Sequence, residues 1–203
     1  ETEKIVAERS THKKQLQAEE SEAIPHKNCI KRLNARIIFL NKQEKEIKLD
    51  IAKIVNQNEK LKNEVENICT IPGVGQLTAV IVLAETNGFE LIKNKKQLTS
   101  YAGLDVIEKS SGTSVNGKPR ISKKGNRNLR KAMHLPALTA VKHIEVYTDL
   151  YARLVAKSGI KMKGLVAVQR KLLELIYIIH KNKISFQSDY EIKKRVQQQV
   201  LTL

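Results

Sequence analysis

From Ile30 the apolar positions advance by alternate steps of three and four residues: Ile30, Leu33, Ile37, Leu40, then Ile47, Ile51, Ile54, then Leu61, Val65 and Ile68. Glu44 and Asn58 fill the two remaining steps. Ile30, Ile37, Glu44, Ile51, Asn58 and Val65 fall at a and Leu33, Leu40, Ile47, Ile54, Leu61 and Ile68 at d. With ten of twelve core slots apolar, the spacing predicts one coiled-coil helix over 30–68. At 1.5 Å per residue it is ~60 Å long. A buried Asn at a costs stability and fixes register and strand number. This favours a homodimer through Ile37, Leu40, Ile47, Ile51, Ile54, Asn58 and Leu61, parallel or antiparallel, and possible pairing of dimers into a tetramer. The competing arrangement is an antiparallel hairpin with residues 1–23. That segment carries only Ile5, Leu16 and Ala23 on a comparable stripe and reads as a poor partner. Pro25 separates the two helical stretches.

The helical pattern stops at Ile71-Pro72-Gly73-Val74-Gly75 and resumes with Ala79, Val80, Val82 and Leu83. Apolar–Pro–Gly–apolar–Gly between two helices is the pattern of a helix–hairpin–helix. There, backbone N–H groups at Gly73, Val74 and Gly75 can hold a phosphate without reading sequence. The plain alternative is a tight corner with no ligand. Further on, Asn116-Gly117 signals a two-residue turn pairing Ser111–Val115 with Lys118–Ser122, and Pro119 confines the second strand to an edge. Asn126 suits the N-cap of a helix from Arg127. Leu129–Ile144 reads as a helix kinked by Pro136. Tyr147, Leu150, Tyr151 and Leu154 space a second. Leu165–Ile179 is a third, with Arg170 and Lys171 off its apolar stripe. Residues 187–203 read as a frayed polar tail. The expected fold is mainly α: a helical, coiled-coil dimerisation region over 1–69 that includes the long coiled-coil helix, then over 70–186 a helical domain with a helix–hairpin–helix and a small β-hairpin.

Charge narrows the function. Of 203 residues, 37 are basic and 21 acidic, a net charge of +16. Residues 1–23 hold four basic and six acidic side chains, whereas 71–203 hold 23 and nine. A field of that size points to a polyanion partner, most often nucleic acid. The longest apolar stretches, Thr78–Ala84 and Leu172–Ile179, are too short to span a bilayer. Aromatic content of 4% without Trp argues against an aromatic-lined single-strand or sugar site. Two cysteines, Cys29 and Cys69, build no disulfide framework, so a reducing cytoplasm is expected. The five histidines show no metal-ligand spacing. The first residue is Glu1 rather than Met, so a piece of a longer protein is expected.

The candidate chemistry lies between 98 and 131. Lys118, Arg120, Lys123, Lys124, Arg127, Arg130 and Lys131 are seven cations with no intervening acid. Arg127, Arg130 and Lys131 share one helical face opposite Leu129, Ala132 and Met133. Cations in the first turns of a helix oppose its dipole by ~0.3–1 kcal/mol each, a cost that a bound phosphate reverses. Ser110, Ser111, Ser114 and Ser122 lie beside this run. A serine near guanidinium groups can attack a phosphodiester, although serines in Gly-containing hairpins are commonly turn formers.

Taken in order, the motifs Ile71-Pro72-Gly73-Val74-Gly75, Tyr101-Ala102-Gly103-Leu104, Ser111-Gly112 with Gly117, Ile121-Ser122-Lys123-Lys124-Gly125-Asn126, Leu129-Arg130 and Arg170-Lys171-Leu172-Leu173 resemble one family over about 60–186. It is that of the insertion-sequence transposases that join an RNase H-like DEDD nuclease domain to a serine-bearing transposase domain, the bridge-RNA-guided recombinases. The resemblance implies a nucleophilic serine nine residues past Ala102, at Ser111, forming a covalent phosphoserine link to DNA during strand exchange. It also implies a guide RNA as partner, and Mg²⁺ bound by carboxylates of the DEDD domain. Two departures stand out: Asp105-Val106 replaces the family's proline after Ala-Gly-Leu, and Ser110 precedes Ser111 where relatives often have an acid. The choice between Ser110 and Ser111 therefore stays open by one residue. Residues 1–70 carry no alternating strand pattern, so the DEDD domain is expected to be absent from this chain, which alone should not cut DNA. The reading from another class is a non-catalytic, dimeric helix–hairpin–helix DNA-binding protein. A coiled-coil scaffold with no nucleic-acid role is the third.

Overall fold

A computed structural model describes residues 1–111 and 115–187, giving the backbone path alone for 108–111 and 115–119. It is mainly helical with one small antiparallel hairpin, as the pattern predicts. The chain forms two units, Glu1–Lys62 and from Asn63 onward.

In the first unit, α1 (Thr2–Glu20) lies along α2 (Lys27–Gln57), joined by a turn containing Pro25. This is the intrachain hairpin the apolar count disfavoured. The polar slots explain it. The inward stripe of α1 is Thr2, Ile5, Arg9, His12, Leu16 and Glu19, and Ile5 is buried. Arg9 donates to Asn41 Oδ1 (2.9 Å) and pairs with Glu44. Lys48 also reaches Glu44 (2.6 Å). Lys48 and Arg9 hold the Glu44 carboxyl below the usual range. The polar a position thus meets a cation of the same chain, while Leu33, Ile37 and Leu40 are buried.

The predicted single helix is interrupted at Asn58, whose backbone is extended (φ −116°, ψ 102°). Its side chain is exposed and accepts from Leu61 N (3.1 Å), capping α3 (Glu59–Cys69). Asn competes well with helical hydrogen bonding at such a site. Ile47, Ile51 and Leu61 are half-buried in the single chain and Ile54 is 61% exposed.

The second unit is built around α9 (Lys161–Asn182), packed by α5 (Lys95–Tyr101), α7 (His134–His143) and α8 (Glu145–Ser158). Leu172, Leu173 and Ile176 of α9 are fully buried, each contributing ~1.5–3 kcal/mol over exposure. Arg170 and Lys171 lie off this stripe and pair with the buried Glu174 at 3.2 and 3.0 Å. Tyr177 Oη donates to Ile92 O and Lys93 O, and its ring meets Phe89 edge-on at 5.4 Å. Phe89 stands at φ +62°, a conformation that side chains rarely adopt.

α4 (Gln76–Glu85) packs on α6 (Arg127–Ala132), which is followed by α7 after a break at Met133. Pro136 sits in the first turn of α7, where a missing N–H costs little. It therefore starts a helix rather than kinking one. The tail beyond 187 lies outside the described residues.

The hairpin differs from its expectation in register. β1 (Val106–Ser111) pairs with β2 (Val115–Ile121), Val106 opposite Ile121 and Ser111 opposite Val115, so the connection falls at 112–114. Asn116-Gly117 lies inside β2 instead of at the turn. The root decides this: Ser122 N donates to Asp105 O (2.9 Å). A turn at Asn116-Gly117 would require 106–109 to pair with residues beyond 123, which are engaged elsewhere. The register shifts between Ile107 and Lys109, leaving Lys118-Pro119 as a bulge that spares Pro119 a ladder bond.

Candidate nucleic-acid interface and nucleophile

Two separated motifs are clasped backbone to backbone. Asn126 N donates to Tyr101 O (2.7 Å) and Lys123 N to Gly103 O (3.1 Å). A Cβ on Gly125 would lie 2.1 Å from Tyr101 O and 2.4 Å from Gly103 N; one on Gly103 would lie 2.6 Å from Gly125 N. Gly103 also holds φ +66°. Both positions therefore require glycine. Arg130 Nη1 closes the clasp, donating to Ala102 O (2.8 Å), Gly125 O (2.9 Å) and Asn126 O (3.3 Å).

A second set of bonds fastens the clasp to α4. Glu85 accepts from the Asn126 amide (2.6 Å) and the Asn128 amide (2.7 Å). These two hydrogen bonds hold its carboxyl below the usual range. Tyr101 Oη donates to Glu85 O (2.9 Å). Asn126 Oδ1 accepts from Asn128 N and Leu129 N, capping α6 as expected. At the hairpin root, Ser122 Oγ donates to Asp105 Oδ1 (2.5 Å). Nothing local in the sequence marks Glu85. Asp105 was visible only as a departure from the family motif.

The basic residues separate into two roles. Arg120, Lys123, Lys124, Arg127 and Lys131 are exposed, and Lys123 is held at φ +54°. Arg130 is half-buried, and its Nη1 is spent on three carbonyls, which gives it a part in holding the clasp. α6 has only six residues, which places Arg130 and Lys131 in its last turn, where cations are favourable. The dipole penalty anticipated for three cations remains only at Arg127. The side chain of Lys118 lies outside the described residues, as do those of Ser110 and Ser111; on the backbone, Ser111 is the last residue of β1.

At the α3–α4 corner, Gly73 has φ +89°, and a Cβ there would strike Thr139 (2.6 Å), so this glycine serves packing. Val74 is buried. Gly75 is the N-cap of α4, with open space where a Cβ would stand. Of the three proposed phosphate holders, Gly73 and Gly75 are exposed, while the Val74 N–H is spent on Ile71 O (3.0 Å). Burial pushes the Cys69 thiol up, away from reactivity. Among the described residues no three His, Cys, Asp or Glu converge as a metal site, and no helix is long and apolar enough to cross a membrane.

The clasped segment lies within the residues that match a known family. Residues 65–152 match the Transposase IS116/IS110/IS902 family. The resemblance carried by the motifs is thereby supported at the level of the transposase domain. The chain is 28% identical over 130 residues to the pilin gene-inverting protein of Moraxella bovis, covering 64% of this chain and 40% of that protein. It is 30% identical over 126 residues to the transposase for insertion sequence element IS1111A of Coxiella burnetii, covering 59% and 34%. It is 28% identical over 121 residues to the insertion element IS110 uncharacterized 43.6 kDa protein of Streptomyces coelicolor, covering 60% and 30%. The chain thus spans less than half the length of these relatives.

Proposed function

We propose that this chain is the serine-bearing part of an insertion-sequence transposase, binding DNA through its second unit and supplying Ser111 for strand exchange. The observation that carries the reading is the clasp. The strand ending in Ser111 and the basic segment from Lys123 to Lys131 leave the same backbone junction, so a phosphate held by Lys124 or Arg127 lies close to the root of the serine hairpin. In the proposed step the Ser111 oxygen attacks phosphorus, forming a seryl–phosphate ester. The bond to the leaving sugar oxygen breaks, and that oxygen takes up a proton. The root cations hold neighbouring phosphates of the same strand; Ser111 stands five residues further along β1, ~17 Å at 3.3 Å per residue, so charge on the transferring phosphoryl group is stabilised by groups that join the site in the assembled protein. The α3–α4 corner acts as a helix–hairpin–helix, adding backbone contacts near Gly75. Mg²⁺ would be held by RNase H-like carboxylates outside this chain, a guide RNA would share the basic surface, and heptad positions such as Ile47, Ile51 and Ile54 would join two copies.

The test uses the chain within its whole natural protein, with guide RNA, Mg²⁺ and donor and target DNA. Ser111→Ala should abolish recombination while leaving DNA affinity within about twofold. Recombination undiminished by Ser111→Ala would move the nucleophile to another residue, Ser110 first; DNA binding by the unmodified protein with no recombination and no adduct would favour the non-catalytic helix–hairpin–helix reading.

A further inference from the structure

Tyr101 is a large aromatic ring held in place and still 43% exposed. Its Oη donates to Glu85 O (2.9 Å), and its own carbonyl accepts from Asn126 N (2.7 Å). The first ties the ring hydroxyl to the α4 backbone and the second fixes the Tyr101 backbone in the clasp, so the ring has little orientational freedom left to lose on binding. It lines an open cleft at the hairpin root together with Ser100, Ile107, Lys124 and the hydrogen-bonded Asp105–Ser122 pair. Asp105 spends one carboxylate oxygen on Ser122 Oγ (2.5 Å). Lys124 is exposed, and the rim continues into exposed Lys123 and Arg127. A flat aromatic face, an apolar Ile107 wall, the Ser100 hydroxyl, the Asp105 carboxylate with an oxygen beyond its Ser122 bond to accept from a base amino group, and a cation at the edge match the parts of one nucleotide. An open cleft admits a polymer that enters and leaves, and the basic rim selects an anionic one.

We propose that this cleft receives one unpaired nucleotide of a nucleic-acid strand, its base stacked on the Tyr101 ring and its phosphate beside Lys124. The inference rests on the DNA-binding reading above and adds to it a place for a base taken out of the duplex. The low aromatic content argues against a continuous stacking track, and the cleft requires only one ring.

The probe is a single-stranded oligodeoxynucleotide carrying 5-iodouracil, compared with a duplex of the same sequence, both with the chain described here. Illumination should crosslink the single strand to the tryptic peptide 97–109, at Tyr101. Tyr101→Leu should weaken single-strand affinity fivefold or more while duplex affinity stays within twofold. Tyr101→Phe, which keeps the ring, should bind within twofold of the unmodified chain. Lys124→Ala should lower the single-strand salt slope by about 0.7. If Tyr101→Leu fails to fold, the crosslink and the Lys124→Ala slope decide. A crosslink elsewhere with none in 97–109, or equal loss of single-strand and duplex binding in Tyr101→Leu, overturns the inference. Duplex binding retained without any Tyr101-dependent single-strand signal overturns this inference alone. Binding to neither probe overturns the DNA-binding reading as well.

Discussion

Gly125→Ala is the most informative single change to the clasp. The added Cβ would stand 2.1 Å from Tyr101 O and 2.4 Å from Gly103 N, both backbone atoms that no rotamer change can move aside. The two strands of the clasp must separate. That breaks Asn126 N to Tyr101 O and Lys123 N to Gly103 O, at about 1 kcal/mol each. It also pulls Arg130 from one of Ala102 O and Gly125 O, a charged bond worth ~1.5–3 kcal/mol. The expected loss is about 3–5 kcal/mol, a large share of the ~5–15 kcal/mol typical of a domain. Urea unfolding followed by circular dichroism measures it, and hydrogen exchange at the Asn126 amide locates it. Gly75→Ala is the internal comparison. No atom stands within 4 Å of its Cβ, so it should cost under about 1 kcal/mol as a slightly poorer N-cap. A Gly125→Ala chain within 1 kcal/mol of the unmodified one, with Asn126 still protected, would refute the clasp.

Arg130→Ala should lower the melting temperature by several degrees, whereas Arg127→Ala should leave it unchanged and reduce the slope of log affinity for duplex DNA against log salt by about 0.9; calorimetry and a salt titration separate the two. Glu85 has a folded pKa below its ordinary 4.5. Its stabilising share is therefore complete above the unfolded value and is lost as pH falls through the folded one. Glu85→Gln should flatten the stability-versus-pH curve below about pH 4.5 and leave the slope above pH 6 unchanged. Asn58→Ala should cost about 1 kcal/mol by uncapping α3 and leave the oligomeric state unchanged in sedimentation, since Asn58 stands in an extended break and its side chain is used as a cap.

The helical character was legible because it rests on local periodicity, and a hairpin was expected from the Asn116-Gly117 turn signal, although the structure places that pair inside β2. The α6 cap at Asn126 was legible because it too is local: it is a bond to Asn128 N and Leu129 N, two and three residues away. What was not legible depended on distant partners. The heptads from Ile30 were read from apolar residues alone, yet Glu44 is matched by Arg9, 35 residues upstream, which makes α1 a suitable neighbour for α2. Asn58 fits a coiled-coil core and a helix cap equally well by residue type, and the structure uses it as a cap. Asn116-Gly117 is a strong local turn signal, but the hairpin register is set at its root by Asp105 and Ser122. At the candidate site, the motif glycines were visible as motif members. Their physical reason, the close approach of 101–103 to 123–126, exists only in three dimensions. Arg130 and Arg127 look alike in sequence and differ in that one faces three carbonyls.

The central claim is that Ser111 becomes joined to DNA. The direct measurement is mass spectrometry of the protein–DNA adduct, trapped from the whole natural protein with guide RNA, Mg²⁺ and donor and target DNA. After nuclease and trypsin digestion, the peptide beginning at Ser110 and ending at Arg120 carries Ser110, Ser111 and Ser114, and fragmentation distinguishes them. A nucleotide mass on Ser111, absent in Ser111→Ala, is the predicted result. An adduct on Ser122 or on another residue, or recombination proceeding with no serine adduct at all, would contradict it.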